Sequence, residues 1–176
     1  MRSFRGMLVL AALSLGGAAT AAAQRPIELG IDAGVQFDLD DPKTTVIALP
    51  IQGLRIGFFL GDRVSLEPSV AFNYIKPSGE DSFSTLGLDA SLLYHLSAAT
   101  DQSRLYIRPV AGLSRVSGGG ETFSQFNIGG GLGVKIPAAD RLALRLEANL
   151  RHGLESDDLP SGTALGLTIG FSFLTR

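Results

Sequence analysis

The chain contains no cysteine and no tryptophan, and only 7% of its 176 residues are aromatic. Without cysteine it cannot form disulfides, zinc–thiolate sites or iron–sulfur clusters, and it has no cysteine nucleophile. Positive charge is not in excess either, since the formal net charge is −2, and this argues against nucleic-acid binding. The length allows one domain and hardly a second. We predict no cofactor and no metal site.

Long apolar runs are also missing. Beyond the N-terminal region, no run approaches the roughly 20 apolar residues of a membrane-spanning helix. Yet 45% of the residues are hydrophobic and the mean hydropathy is +0.24. The hydrophobic residues must therefore be arranged in another way.

Residues 1–23 have the features of a secretory signal peptide. A short basic region precedes the apolar segment Met7–Leu15, and Ala21 and Ala23 are the small residues of an A-x-A cleavage site. We expect export through the Sec pathway and cleavage after Ala23, which leaves residues 24–176 as one mature domain.

From Ile27 onward, apolar residues alternate with small or polar ones, as in β-strands. The alternation recurs in eight segments of roughly ten residues or more, a length that crosses a bilayer when the strand is tilted. In the second segment the parity changes, so we expect a one-residue bulge near Gln52-Gly53. The apolar face carries no charge, and the other face is rich in glycine, which suits the crowded interior of an eight-stranded barrel.

The charges on the glycine-rich face balance. This set contains five acids and five bases, which we expect to form an interior ion-pair network because an unpaired buried charge is costly. Its members are Glu28, Asp32, Glu67, Asp89 and Glu147 with Arg55, Arg108, Lys135, Arg145 and Arg151.

The connections alternate in character. With both termini in the periplasm, the outer loops are Asp38–Lys43, Lys76–Ser82, Arg115–Thr122 and Gly153–Gly162. They are somewhat longer than the inner turns, as in outer-membrane barrels. They also carry nine acids, which we expect to form an acidic rim that could bind an extracellular ligand: Asp38, Asp40, Asp41, Glu80, Asp81, Glu121, Glu155, Asp157 and Asp158.

These features resemble the small outer-membrane β-barrel family of the OmpA/OmpX-like kind. The turn-plus-strand units GDRVSLEPS and ADRLALRLEA, the signal peptide and the eight alternating strands carry the resemblance. It implies an antiparallel up-and-down transmembrane β-barrel in a bacterial outer membrane, inserted by the barrel-assembly machinery. Family members commonly end in an aromatic residue, whereas here Phe173 is followed by Leu174-Thr175-Arg176.

Candidates for catalysis are few. His95 falls on the inward face, where we expect a packed, hydrogen-bonded side chain. His152 precedes Glu155 and Ser156, and a serine, a histidine and an acid can form a nucleophilic triad. Lipid A deacylases on eight-stranded barrels use such a set, but the HGLES spacing does not match their His-x-Ser pattern.

We therefore predict a non-enzymatic, monomeric barrel with a polar plugged interior. Its role is structural or concerns surface interactions through the four outer loops. Its expected surroundings are outer-membrane lipids and lipopolysaccharide, and no nucleic acid is expected. The alternatives are a lipid A acyl hydrolase or acyltransferase, a small channel, and a soluble exported barrel that binds a lipophilic ligand.

Overall fold

The computed structural model describes residues 26–40, 45–75, 82–97, 103–156 and 159–175, and for residues 45–52 and 75 it describes the backbone alone. Eight antiparallel β-strands, each paired with the next and the last with the first, close into a barrel. They are β1 (Ile27–Asp38), β2 (Thr45–Phe59), β3 (Val64–Ile75), β4 (Phe83–His95), β5 (Arg104–Gly118), β6 (Glu121–Ala139), β7 (Leu142–Gly153) and β8 (Gly162–Leu174). The predicted eight-stranded up-and-down barrel is confirmed, and the predicted signal peptide lies outside the described residues.

The barrel exposes its apolar face and buries its polar one. Phe72 is 62% exposed and Leu132 is 57% exposed, whereas most of the fully buried side chains are polar or charged. Such a wall is unfavourable in water and suited to lipid. A soluble barrel with its apolar faces inward, the last of the alternatives above, has the opposite arrangement. In the described part of the chain, no helix is long and apolar enough to span a membrane.

The two ends of the barrel differ. At the turn end, β1 begins, β8 ends, and the described connections are short: residues 60–63 join β2 to β3, and residues 140–141 join β6 to β7. At the loop end, β1 ends and β8 begins. These names are kept below.

One expected loop is a tight hairpin. The expectation of an outer loop over Arg115–Thr122 was wrong, because β5 continues to Gly118 and β6 begins at Glu121. The turn consists of Gly119 and Gly120, whose φ angles of 61° and 84° are left-handed. Two such residues allow the turn to match the twist of its strands, and glycine accepts this conformation at little cost.

β2 is irregular at the predicted place but by a larger amount. Its register with β1 jumps from the pair Asp32–Gly53 to the pair Gly34–Ala48, so that residues 49–52 lie opposite Ala33 alone. The surplus is three residues rather than the single residue predicted. Because three is odd, the even and odd positions of β2 still exchange faces at the irregularity. The sequence pattern shows this exchange but not the number of extra residues.

Candidate functional site

The interior of the barrel is the most highly charged part of the described structure. All ten predicted interior residues have a partner of opposite charge within salt-bridge distance. Strand alternation points them into the lumen from seven of the eight strands. The structure divides them into a network of eight residues and a separate pair.

Arg55 is the hub on the β1–β2 side. Its Nη1 donates to Glu28 Oε1 at 2.8 Å and its Nε donates to Asp32 Oδ2 at 2.7 Å. Its Nη2 donates to the Ser172 hydroxyl at 2.8 Å, across the seam between β1 and β8. Lys135 reaches Glu28 Oε2 from β6 at 2.6 Å, so Glu28 is shared by two cations.

Glu147 is the hub on the opposite side. It accepts hydrogen bonds from the Arg108 guanidinium and, at 2.8 Å, from Arg145 Nη2. Arg145 Nη1 also donates to Glu67 Oε1 at 2.7 Å. Because Glu67 lies on β3 and Arg145 on β7, this bond crosses the lumen and joins the two hubs through the contact of Glu67 with Arg55.

The network is electrically neutral. Four acids face four bases, and the remaining pair, Asp89 with Arg151 at 2.7 Å, is neutral as well. Removal of charges from water costs several kcal/mol per ion unless geometry and additional hydrogen bonds compensate. The pairing therefore explains how ten charges are tolerated in a narrow barrel.

Tyr106 completes the network, and the sequence analysis gave it no role. Its hydroxyl donates to Glu147 Oε2 at 2.7 Å and accepts from Arg145 Nε at 2.6 Å. The alternation of β5 places Tyr106 on the inward face, but alternation alone does not predict which residues an inward-facing tyrosine contacts. Ser91 was missed in the same way and accepts from Arg108 Nη1 at 2.9 Å.

Three buried uncharged side chains lie in the turn-end half of the lumen, beside the Glu28–Lys135 pair. Leu93, His95 and Tyr106 are completely buried. The His95 ring lies 6.1 Å from the Phe59 ring, and its Nδ1 is 3.2 Å from the Arg63 carbonyl oxygen. His95 is thus packed and hydrogen-bonded, as expected, although its Nε2 has no partner among the described atoms.

Glycines make the room for these side chains. A Cβ on Gly133 would overlap the Tyr106 ring, and one on Gly112 would overlap the Asp89 carboxylate. Both glycines lie on strands next to the side chain that they accommodate. The glycine-rich face is therefore a direct consequence of the large charged residues that share the lumen.

Between the network and the loop end, the lumen contains a cavity of about 240 Å³. Asp32, Arg55 and Glu147 lie at its floor, and Gln36 and Ser114 lie nearer the loop end. Such a volume is large enough to hold several water molecules. The loop-end half of the lumen is thus a polar cavity whose floor is formed by members of the ion-pair network.

The candidate triad residues are not brought together. His152 is exposed on the outer wall, and its Nδ1 lies 3.1 Å from Thr163 Oγ1 on β8. Ser156 instead accepts a hydrogen bond from the Leu159 amide at 3.2 Å within the loop. Among the described residues, no group of three or more His, Cys, Asp or Glu side chains could hold a metal ion.

Four of the nine predicted rim acids belong to the described residues, and they lie at the loop end. Asp38 accepts from Gln36 Nε2 at 3.1 Å, and Asp40 accepts from the Thr163 amide. Glu121 and Glu155 are exposed. The other predicted rim acids, Asp41, Glu80, Asp81, Asp157 and Asp158, lie outside the described residues.

Solved structures share this architecture. Neisserial surface protein A has a TM-score of 0.64 at 15% identity, with 84% of this chain and 96% of that chain covered. The outer membrane protein OprG of Pseudomonas aeruginosa has a TM-score of 0.55 at 11% identity, with 86% and 97% covered. Ail, the attachment invasion locus protein of Yersinia pestis, has a TM-score of 0.51 at 14% identity, with 85% and 98% covered. At these identities the likeness concerns the fold.

Comparison with curated proteins gives no significant match. The family model described as "Outer membrane protein beta-barrel domain" matches residues 8–173, which is nearly the whole chain. The closed barrel, the exposed apolar wall and the buried charges agree with that match. The chain belongs to this family of outer-membrane β-barrels, and its place is the bacterial outer membrane.

Proposed function

We propose that this barrel is a non-enzymatic outer-membrane protein that acts at the cell surface through its loop end, while its interior stabilises the fold and does not conduct. In this proposal the turn end faces the periplasm. The chain is monomeric, is inserted by the barrel-assembly machinery, and is surrounded by lipids and lipopolysaccharide.

The burial and pairing of the side chains that fill the lumen are the observations that support the proposal. An ion would have to pass the paired charges around Arg55 and Glu147 and then the buried side chains of Leu93, His95 and Tyr106. Displacing a partner in such a network leaves an uncompensated buried charge, which is costly. The residues free to meet another molecule are then those of the wall and the loop end.

Planar-bilayer recording tests the closed lumen. The refolded wild-type protein should show no discrete conductance steps under conditions in which a general porin, the positive control, conducts. Regular steps from a preparation of confirmed purity would contradict the proposal and favour the small channel.

Cysteine labelling tests the orientation, because the chain has no cysteine of its own. Glu121→Cys at the loop end should react with a membrane-impermeant maleimide on intact cells. Asp140→Cys at the turn end, the matched control, should react only after the outer membrane is permeabilised. The reverse pattern would place the loop end in the periplasm.

The exposed rim acids suggest a cationic partner. Binding of polylysine to the protein in nanodiscs should weaken in the double variant Glu121→Gln/Glu155→Gln and should remain unchanged in Asp140→Asn. Equal binding by wild type and double variant would exclude the described rim as the contact surface.

A second candidate, a lipid A acyl hydrolase, is favoured by one observation. His152 and the Thr163 hydroxyl form a pair on the outer wall, within reach of lipid. A histidine beside a hydroxyl is the core of a nucleophilic site. Incubation with lipid A and mass spectrometry of the product decides: release of acyl chains by wild type but not by His152→Ala would favour the enzyme over our proposal.

A further inference from the structure

The outer wall has a shallow groove at the turn end, which the ion-pair network does not involve. It is lined by Ala139, Asp140, Arg141, Leu142 and Phe173. Leu142 and Phe173 are partners across β7 and β8. The Leu174 amide donates to the Arg141 carbonyl at 2.9 Å, which holds the β6–β7 turn against the end of β8.

The groove combines two opposite charges with an apolar floor. Asp140 and Arg141 are both exposed. In the described part of the chain, neither forms a salt bridge with the other or with a third residue. Phe173, which is 49% exposed, lies beside them on the lipid-facing wall. A carboxylate and a guanidinium thus lie beside exposed apolar side chains, and neither side chain has a hydrogen-bond partner among the described residues.

We propose that this groove binds the headgroup of a zwitterionic aminophospholipid. The Arg141 guanidinium binds the phosphate, and the Asp140 carboxylate accepts hydrogen bonds from the primary ammonium group. Leu142 and Phe173 contact the glycerol and the first acyl carbons. The inference concerns the wall, so it does not depend on the surface role proposed for the loop end.

Charge complementarity selects this lipid class. A phosphatidylglycerol headgroup offers Arg141 the same phosphate, but it meets Asp140 with neutral hydroxyls instead of a cation and leaves the negative charge of Asp140 unbalanced. A choline headgroup carries a positive charge but has no N–H to donate, so it forgoes the charge-assisted hydrogen bond. A phosphate together with a primary ammonium satisfies both side chains.

Native mass spectrometry of the full mature chain tests the site. The protein is presented with equal amounts of dioleoyl phosphatidylethanolamine, phosphatidylcholine and phosphatidylglycerol. Wild type should retain the ethanolamine lipid over each of the others by about threefold, the size expected of one exposed ion pair. Asp140→Asn should abolish this preference, Asp140→Glu should keep it, and Arg141→Gln should lower retention of all three lipids.

Glu121→Gln, an exposed acid at the opposite end, is the matched control and should behave as wild type. Heat-modifiable migration on a gel checks that each variant is folded. Equal retention of the three lipids by wild type would overturn the proposal. A preference that survives both Asp140→Asn and Arg141→Gln in folded protein would overturn it as well and would leave the two residues as solvated turn charges.

Discussion

At the scale of single residues, Glu147 shows how much the interior depends on pairing. Its carboxylate holds Arg108, Arg145 and the Tyr106 hydroxyl. In Glu147→Ala, two buried guanidinium groups lose a shared partner and the network carries a net positive charge. We expect a loss of about 3–5 kcal/mol in the free energy of unfolding, measured by urea titration in lipid vesicles.

The exposed Glu121 provides the control for this prediction. Glu121→Ala removes an acid that has no salt bridge to a described residue, so its unfolding free energy should stay within about 0.5 kcal/mol of wild type. If Glu147→Ala lowered the free energy of unfolding as little as Glu121→Ala, the interior ion pairs would contribute little to stability. Charge pairing would then not explain how the barrel accommodates its interior charges.

Gly133 tests the role of glycine in the lumen. A methyl group there would overlap the Tyr106 ring, and such overpacking costs about 1–3 kcal/mol. Gly133→Ala should therefore unfold at lower urea concentration, whereas Gly61→Ala, where a Cβ meets nothing within 4 Å, should not. In the double variant Gly133→Ala/Tyr106→Leu the two losses should be less than additive, because the overlap with the ring is gone and only the close approach to the Leu146 carbonyl oxygen remains. Strict additivity would show that Gly133 does not act through Tyr106.

At the scale of strands, the sequence predicts faces well and partners poorly. Alternation assigned Arg145 and Glu67 to the inward face, and the structure joins them across the lumen at 2.7 Å. That contact depends on the stagger of β3 against β7 around the closed barrel. The residue pattern within either strand does not determine this stagger. The size of the β2 irregularity could not be predicted for a similar reason. One extra residue and three extra residues have the same effect on which face the following side chains occupy.

The tight hairpin between β5 and β6 was not predicted, and the reason is different. The segment Arg115–Thr122, where an outer loop was expected, contains Gly118–Gly120, and glycine has a low preference for strands. In the structure Gly118 ends β5, and Gly119 and Gly120 form a turn whose left-handed angles only glycine adopts readily. Composition alone cannot separate these two uses.

The seam between β2 and β3 is the place where backbone pairing is least complete. Its register runs from Leu54–Val70 to Phe59–Ser65, whereas β3 pairs with β4 from Val64 to Ile75. Among the described residues, amides of residues 71–74 that point toward β2 therefore have no ladder partner on that strand. In nanodiscs we expect these amides to exchange hydrogen faster than the β4 amides at the same height along the barrel. Those β4 amides serve as the control, because β4 pairs with β5 up to Phe83–Gly118. Equal protection on both seams would contradict this.

At the scale of the whole molecule, the wall defines the bilayer that the barrel fits. On β5 the outward residues are apolar from Leu105, the first outward residue of the strand, to Leu113, and the next outward residue toward the loop end is Arg115. Nine residues at about 3.3 Å each, tilted by about 40°, give a belt of about 23 Å. This is thinner than the roughly 30 Å core of a typical bilayer.

The unfolding free energy should therefore be highest in thin bilayers and should decline as the lipid acyl chains lengthen, because hydrophobic mismatch costs energy with each ångström. The measurement is urea titration in preformed phosphatidylcholine vesicles with chains of 10 to 18 carbons. Since thin bilayers can favour barrels in general, Arg115→Leu is the matched variant: it extends the apolar stretch of β5 toward the loop end and should move the optimum to longer chains. An optimum that stays in place in Arg115→Leu would show that this belt does not set the preferred thickness.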